Sequence, residues 1–178
     1  MALATISTIK SAIGAGVRPN LFRVTAAGGF NGAAGSRFSV LCKAAALPGS
    51  SIGTIEIPVA GGRRFKLAGD RTFAEWTTTV INDGGFNTRR ELEAYQKLFT
   101  ASDYSSTVIG NKATALSTLT VEQLDSSGTT VIRRYDLQNC FISDISTIDL
   151  SYDTTDAIEE FTVTWVYDYF TVTGVAAV

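Results

Sequence analysis

Phe161-Thr162-Val163-Thr164-Trp165-Val166-Tyr167-Asp168-Tyr169 is the stretch that decides the fold class. Residues 161, 163, 165, 167 and 169 are large and apolar or aromatic, and they alternate with Thr162, Thr164 and Asp168. That is the period-two pattern of a strand showing one face to a core or to an interface. Upstream, Ala115 to Leu124 and Thr129 to Leu137 flank the turn Asp125-Ser126-Ser127-Gly128, a hairpin with Val131, Tyr135 and Leu137 on one face. The Thr- and Trp-rich run from Phe73 to Asn82 adds another strand, since β-branched residues suit a pleated surface.

A further hairpin is written by Thr54 to Val59 and Arg63 to Leu67 around Ala60-Gly61-Gly62, and Pro58 marks its first strand as an edge or a bulged one. It follows the turn cluster Leu47-Pro48-Gly49-Ser50-Ser51 and is expected to project. Leu21 to Val24, and then Phe38, Val40 and Cys42, also alternate as strands, separated by Gly28, Gly29, Gly32 and Gly35. These glycines lack the Gly-Lys-Ser/Thr spacing of a phosphate cradle and read as a flexible loop. One helix stands out. It starts at Asn87 or Thr88, with Thr88 and Glu91 in capping-box relation and Leu92, Tyr95 and Phe99 on one face. Leu3, Ile6, Ile9 and Ile13 suggest a short amphipathic helix ended by Gly14 and Gly16, and Thr100 to Lys112 reads as a polar connection. The expected architecture is mainly β (α+β): an antiparallel barrel or sandwich with one flanking helix and a long projecting hairpin, in one domain.

With 178 residues, 45% of them hydrophobic, the chain can bury roughly 70% of its unfolded surface and needs no disulfide staples. Cys42 and Cys140 are far apart and fit a reducing compartment. There is no His, which removes the usual base of Ser and Cys hydrolases and the Cys/His zinc sites. Residues 1–16 lack a basic n-region and do not read as a signal peptide, and no apolar run approaches the ~20 residues of a membrane span. The net charge of −2 hides a split: residues 1–90 carry 11 Lys or Arg and 4 Asp or Glu, residues 91–178 carry 4 and 13. Such halves either pair internally or face different neighbours.

Three clusters could carry chemistry. Asp149, Asp153, Asp156, Glu159 and Glu160 could hold a hard cation but lack the spacing and central Gly of a calcium loop, so a solvated acidic loop is the simpler reading. Paired carboxylates for glycoside chemistry would need a cleft that sequence cannot display. Arg63, Arg64 and Lys66, with Arg71 nearby, form the densest basic patch, yet without serial aromatics for stacking on single strands. Trp76 and Trp165 are the candidate platforms for a β-sandwich ligand-binding module.

Two blocks resemble the tail tube proteins of contractile-tailed, T4-like bacteriophages. The first runs from Cys42-Lys43-Ala44-Ala45 through Leu47-Pro48-Gly49-Ser50, Ile52-Gly53-Thr54-Ile55, Gly62-Arg63 and Lys66-Leu67-Ala68-Gly69-Asp70-Arg71-Thr72-Phe73 to Trp76 and Val80-Ile81-Asn82-Asp83. The second holds Tyr135-Asp136-Leu137-Gln138-Asn139-Cys140-Phe141, Ile148-Asp149-Leu150-Ser151, Ile158-Glu159-Glu160-Phe161 and Tyr167-Asp168-Tyr169. Residues 1–16 and the Gly-rich stretch from Ala26 to Gly35 are longer than the family pattern, and Ile142 replaces a more usual Pro.

The resemblance implies a β-barrel-like fold and a structural virion protein, with no catalysis, metal or cofactor. It implies hexameric rings stacked head to tail into the inner tube of a contractile tail. Sheath protein surrounds such a tube, baseplate or initiator and terminator proteins bound it, and phage DNA passes through the lumen without specific binding. The virion, and host cytoplasm during assembly, are the implied locations, and no membrane is involved. The excursion from Leu47 to Asp70 would reach an adjacent subunit, which makes Leu47, Pro48, Gly49, Ile55, Ile57, Arg63, Arg64, Lys66, Gly69, Asp70, Arg71 and Phe73 the candidate interface residues, with residues 1–18 an N-terminal extension. A lumen carrying the surplus acid would repel phosphates. Tube proteins of type VI secretion or other contractile injection systems are the alternative within the same fold.

Overall fold

A computed structural model describes residues 5–14, 16–30, 32–99 and 115–174; the polar connection expected at Thr100 to Lys112 lies outside the described residues. The chain runs α1 (Ile6–Ile13), β1 (Phe22–Gly28), α2 (Gly32–Leu41), β2 (Cys42–Ala45), β3 (Ser50–Val59), β4 (Arg63–Phe73), β5 (Trp76–Ile81), α3 (Asn87–Lys97), β6 (Ser117–Leu124), β7 (Val131–Ile145), β8 (Glu160–Val166) and β9 (Tyr169–Gly174). Seven strands form an antiparallel sheet in the order β1-β6-β7-β8-β5-β2, with β9 also on β7, while β3 and β4 pair only with each other. The path ends at β1 and β2, so the strands do not close into a barrel within the chain.

β7 organises the sheet. Its first half pairs with β6 on one side and β9 on the other, and its second half, from Phe141, pairs with β8. The switch falls at Asn139, whose φ of 59° lies in the left-handed region that Asn tolerates better than most residues. Asn139 is the extra residue of a bulge between the Leu119↔Leu137 and Ser117↔Cys140 pairs, and its side chain donates to Asp168 Oδ2 at 2.6 Å. Asp168 marks the break between β8 and β9, so the alternating stripe from Phe161 buries its residues as far as Tyr167 and then restarts at the exposed Tyr169.

The core stripe of β8 lies directly opposite that of β5, as Trp165↔Trp76, Val163↔Thr78 and Phe161↔Val80. Thr78 is buried among them because its hydroxyl accepts the Trp165 indole N–H at 3.2 Å. Phe30, Phe38 and Tyr95 pack edge-on or tilted around Trp165, with ring centroids 5.4–6.3 Å apart. Tyr95 satisfies its hydroxyl deep in the core: Ser117 Oγ donates to it at 2.9 Å, and Ala115 O and Cys140 O each lie 2.9 Å away as acceptors. Burial pushes the Tyr95 phenol and both the Cys42 and Cys140 thiols up to about 12, so all three stay neutral and act as core groups.

Two expectations are corrected here. The first concerns the helices: among the described residues α2 is present besides the expected α1 and α3. Gly32–Leu41 is helical, not a loop leading into a strand, because Ala34, Phe38 and Leu41 recur at helical spacing against β1 and the core, with Gly35 buried beside Ala26. Phe38 is therefore 0% exposed while Val40, expected on the same strand face, is 83% exposed. Gly29 meets a different demand, since a Cβ there would sit 2.0 Å from Ala115 O where the chain leaves β1.

The second correction is the cap of α3. Among the described residues the Thr88 hydroxyl has no hydrogen-bond partner, and Glu91 turns to Arg37 at 2.5 Å. Asp83 caps the helix instead, accepting the Thr88 N–H at 2.8 Å and the Asn87 N–H at 3.1 Å across a turn in which Phe86 takes φ 53°. These backbone donors hold the Asp83 carboxyl well below its ordinary 3.8.

Replacing Phe38 with Ala is expected to cost about 3–5 kcal/mol in denaturant unfolding, and Val40→Ala less than about 0.5 kcal/mol. Equal effects would restore the strand reading. Asp83→Ala should lower the melting temperature at pH 7. Its folded pKa is depressed, so its contribution is complete above 3.8 and fades as the pH falls through and below that value, and the gap between variant and wild type should narrow there.

Candidate assembly surfaces

β3 and β4 stand off the main sheet, and every residue of β3 is exposed. Gly61 (φ 89°) and Gly62 (φ 75°) make the turn at the tip. At the root, Phe73 packs on Tyr167 and Phe170 with centroids 6.0 and 5.4 Å apart, and the Trp76 indole donates to Ala46 O at 2.6 Å. Between root and tip the ladder opposes Ile55 to Leu67, Ile57 to Phe65 and Val59 to Arg63, and in the alternate positions Glu56 to Lys66 and Pro58 to Arg64. Residues directly opposite share a face, so the ribbon has one apolar face and one charged face.

On the apolar face Ile55, Ile57, Val59, Phe65 and Leu67 are each 42–56% exposed. On the other, Glu56 holds Arg64 at 2.6 Å and Lys66 at 3.5 Å. Arg63, at the apolar edge of the tip, forms no ion pair among the described residues, and neither does Arg71. Of the other candidate interface residues, Leu47, Gly49 and Asp70 are exposed, and Pro48 is half-buried before β3. Gly69 faces Gly53 across a bulge, where a Cβ would approach Gly53 O to 3.1 Å. Phe73 belongs to the anchoring root rather than to the open face. The projecting hairpin was legible in the sequence. The two-faced character needed the register across the turn.

A second surface lies on β1, β6, β7 and β9. Val24, Leu119, Val121 and Leu137 point to the core. The opposite face carries Arg23 and Thr25 on β1, Thr118, Thr120 and Glu122 on β6, Arg134, Asp136 and Gln138 on β7, and Thr171 and Thr173 on β9. Its charges pair with one another: Arg23 meets Glu122 at 2.5 Å, Arg134 meets Asp136 at 2.9 Å, and Thr120 donates to Asp136 at 2.6 Å. The face is polar and its charges cancel. β1 and β9 flank it, each paired on one side only among the described residues.

The charge split is partly internal. Arg23–Glu122, Arg37–Glu91 and Lys43–Glu160 each join the basic first half to the acidic second at 2.5–2.6 Å. The remaining acid is concentrated on the loop between β7 and β8, where Asp149, Asp153 and Asp156 are exposed and Glu159 accepts from Asn82 at 2.8 Å. Trp76 and Trp165, the aromatic platforms of a ligand-binding module, are 2% and 0% exposed and cannot stack on a ligand.

Comparison with known proteins places the chain in a family. A model of the family described as phage tail tube protein matches residues 12–173. The chain is 30% identical over 154 residues to the tail tube protein gp19 of Enterobacteria phage T4, covering 86% of this chain and 90% of that one, and it matches the same protein of Enterobacteria phage T6 to the same extent. In fold it is similar to a chain of the sheath-tube complex of the extracellular contractile injection system PVC in its extended state, with TM-score 0.67 and 15% identity over 96% of this chain and all of that one. A chain of the anti-feeding prophage tube-terminating cap gives TM-score 0.65 and 18% identity over 89% of this chain and 91% of that one. The match along nearly the whole chain, together with 30% identity to the phage proteins, shows that the chain belongs to the phage tail tube protein family, with a structural and non-catalytic role in the inner tail tube.

Proposed function

We propose that six copies of this chain close into a ring, that the β3–β4 ribbon is an arm lying on an adjacent subunit, and that rings stack head to tail into a hollow tube. The observation that carries this reading is the uncovered apolar face of the ribbon. An isolated two-stranded hairpin is marginal in water, and a contiguous row of exposed Ile, Val, Phe and Leu marks a surface built to be covered. Covering what remains exposed of each of its five large side chains is worth roughly 1 kcal/mol, enough to order the arm once a neighbour is present.

The face of β1, β6, β7 and β9 suits the lumen. Its flanking strands offer unpaired backbone edges, and pairing them between subunits closes in the ring the barrel that one chain leaves open. With Arg23, Glu122, Arg134 and Asp136 neutralising one another, such a wall has little field with which to hold DNA phosphates as the genome passes. Neutrality thus does the work that surplus acid was expected to do, and the acid serves elsewhere. Sheath on the outside, an initiator or baseplate below and a terminator above are the partners this reading assigns. The tube is part of the virion, assembled in the host cytoplasm.

Negative-stain microscopy of the purified protein should show rings or tubes. Ile57→Asp with Phe65→Asp, a cross-strand pair on the arm's apolar face, should leave a monomer with unchanged far-UV circular dichroism and cooperative melting. Rings of normal yield from that variant, or a wild-type chain monomeric at all concentrations, would overturn the reading.

A further inference from the structure

α1 and the loop between β7 and β8 are a matched pair of exposed surfaces, and neither is used by the ring contacts above. α1 is properly capped, by the Thr5 hydroxyl at Thr8 N and by Gly14 N–H on Lys10 O at 2.9 Å, yet it buries none of its residues. Ile6, Ile9 and Ile13 lie exposed at helical spacing, with Val17 just beyond. A helix of 8 residues does not sustain itself in water by propensity, so its apolar stripe calls for a partner. On the loop, Leu150, Tyr152 and Ile158 are exposed beside a groove of about 370 Å³ in which Ile148, Leu150, Ala157 and Ile158 share the lining with hydroxyl and acidic side chains.

Charge separates the two surfaces cleanly. Residues 1–55 contain no Asp or Glu, while residues 146–160 contain Asp149, Asp153, Asp156, Glu159 and Glu160 and no Lys or Arg. α1 brings Lys10, and Arg18 follows it. Topology sets them apart in space. The chain following α1 is tied to the start of the β6–β7 hairpin, where Gln123 Nε2 donates to Arg18 O at 2.9 Å and Leu124 opposes Val131. The acidic loop leaves the other end of β7, beyond Ile145. Two different patches at the two ends of one long strand make a heterologous contact, which builds an open stack rather than a closed pair.

Resting on the tube reading, we propose that α1 of each subunit lays its Ile6-Ile9-Ile13 face on the Leu150-Tyr152-Ile158 surface of a second copy of this chain in the adjoining ring. Lys10 then lies toward the loop carboxylates. The apolar contact supplies the adhesion. The opposed charges fix polarity, because head-to-head rings would bring acid to acid or base to base.

The test uses two full-length variants, Ile9→Asp/Ile13→Asp and Leu150→Asp/Tyr152→Asp, each checked by circular dichroism and examined by negative stain beside wild type. Each should form single rings and lose stacks of two or more. Mixing the two kinds of ring leaves one competent α1 opposite one competent loop, so the mixture should give double rings and nothing longer. A charge reversal, Lys10→Glu, should shorten tubes in the same direction, more at low salt than at high salt. Tubes of wild-type length from both double variants, with rings intact, would overturn this inference alone. So would hydrogen-exchange protection of α1 already present in dilute monomer, which would place the helix on its own chain. Failure of the wild type to form even rings would overturn the tube reading and this inference with it.

Discussion

The structure depends on β7 serving two ladders at once. Its first half is hydrogen-bonded on both sides, to β6 and β9, and its second half to β8, with the change of partners made at Asn139. A bulge in the left-handed region turns the strand at the cost of a locally strained residue, and the Asn139–Asp168 hydrogen bond ties that turn to the break between β8 and β9. From this bend follow the polar outer face of β1, β6, β7 and β9, the aromatic core around Trp165 beneath it, and the separation of α1 from the acidic loop.

The molecule has a firm interior and an unfinished exterior. Inside, the polar groups around the aromatic core are partnered: Tyr95, Ser117 and the Phe30 N–H form one chain of hydrogen bonds, and Trp165 finds Thr78. Outside, the β3–β4 ribbon and α1 leave apolar surface open, and among the described residues β1 and β9 each leave one backbone edge unpaired. Apolar surface and open strand edges of this kind mark places built to be covered. Function is then a matter of geometry and complementary surfaces, which explains why a chain without a single His serves its purpose.

Much of this was readable from residue order. The β8 stripe, both hairpins and the start of α3 at Asn87 follow from period and turn chemistry. What misled was local. Gly28, Gly29, Gly32 and Gly35 suggested a loop, yet Gly29 is glycine because the Ala115 backbone comes too close for a side chain, and Gly35 is buried in α2 beside Ala26. Phe38, Val40 and Cys42 alternate, but Ala34, Phe38 and Leu41 also repeat at helical spacing, and packing against β1 decided between the two periods. The Thr88–Glu91 spacing satisfied the capping-box rule, yet Asp83 reached the first backbone N–H groups of the helix, those of Asn87 and Thr88, from outside it. The charge split could not be apportioned without knowing that Lys43 meets Glu160 and Arg23 meets Glu122.

The central claim is that a second subunit completes the apolar face of the β3–β4 ribbon. Hydrogen exchange of the same protein, compared between dilute monomer and assembled material, tests it most directly. The account predicts that amides from Ile55 to Val59 and from Arg63 to Leu67 exchange freely in the monomer and become strongly protected on assembly, while those of β5 and β8 are protected in both. Unchanged, rapid exchange of the ribbon in assembled tubes would contradict it.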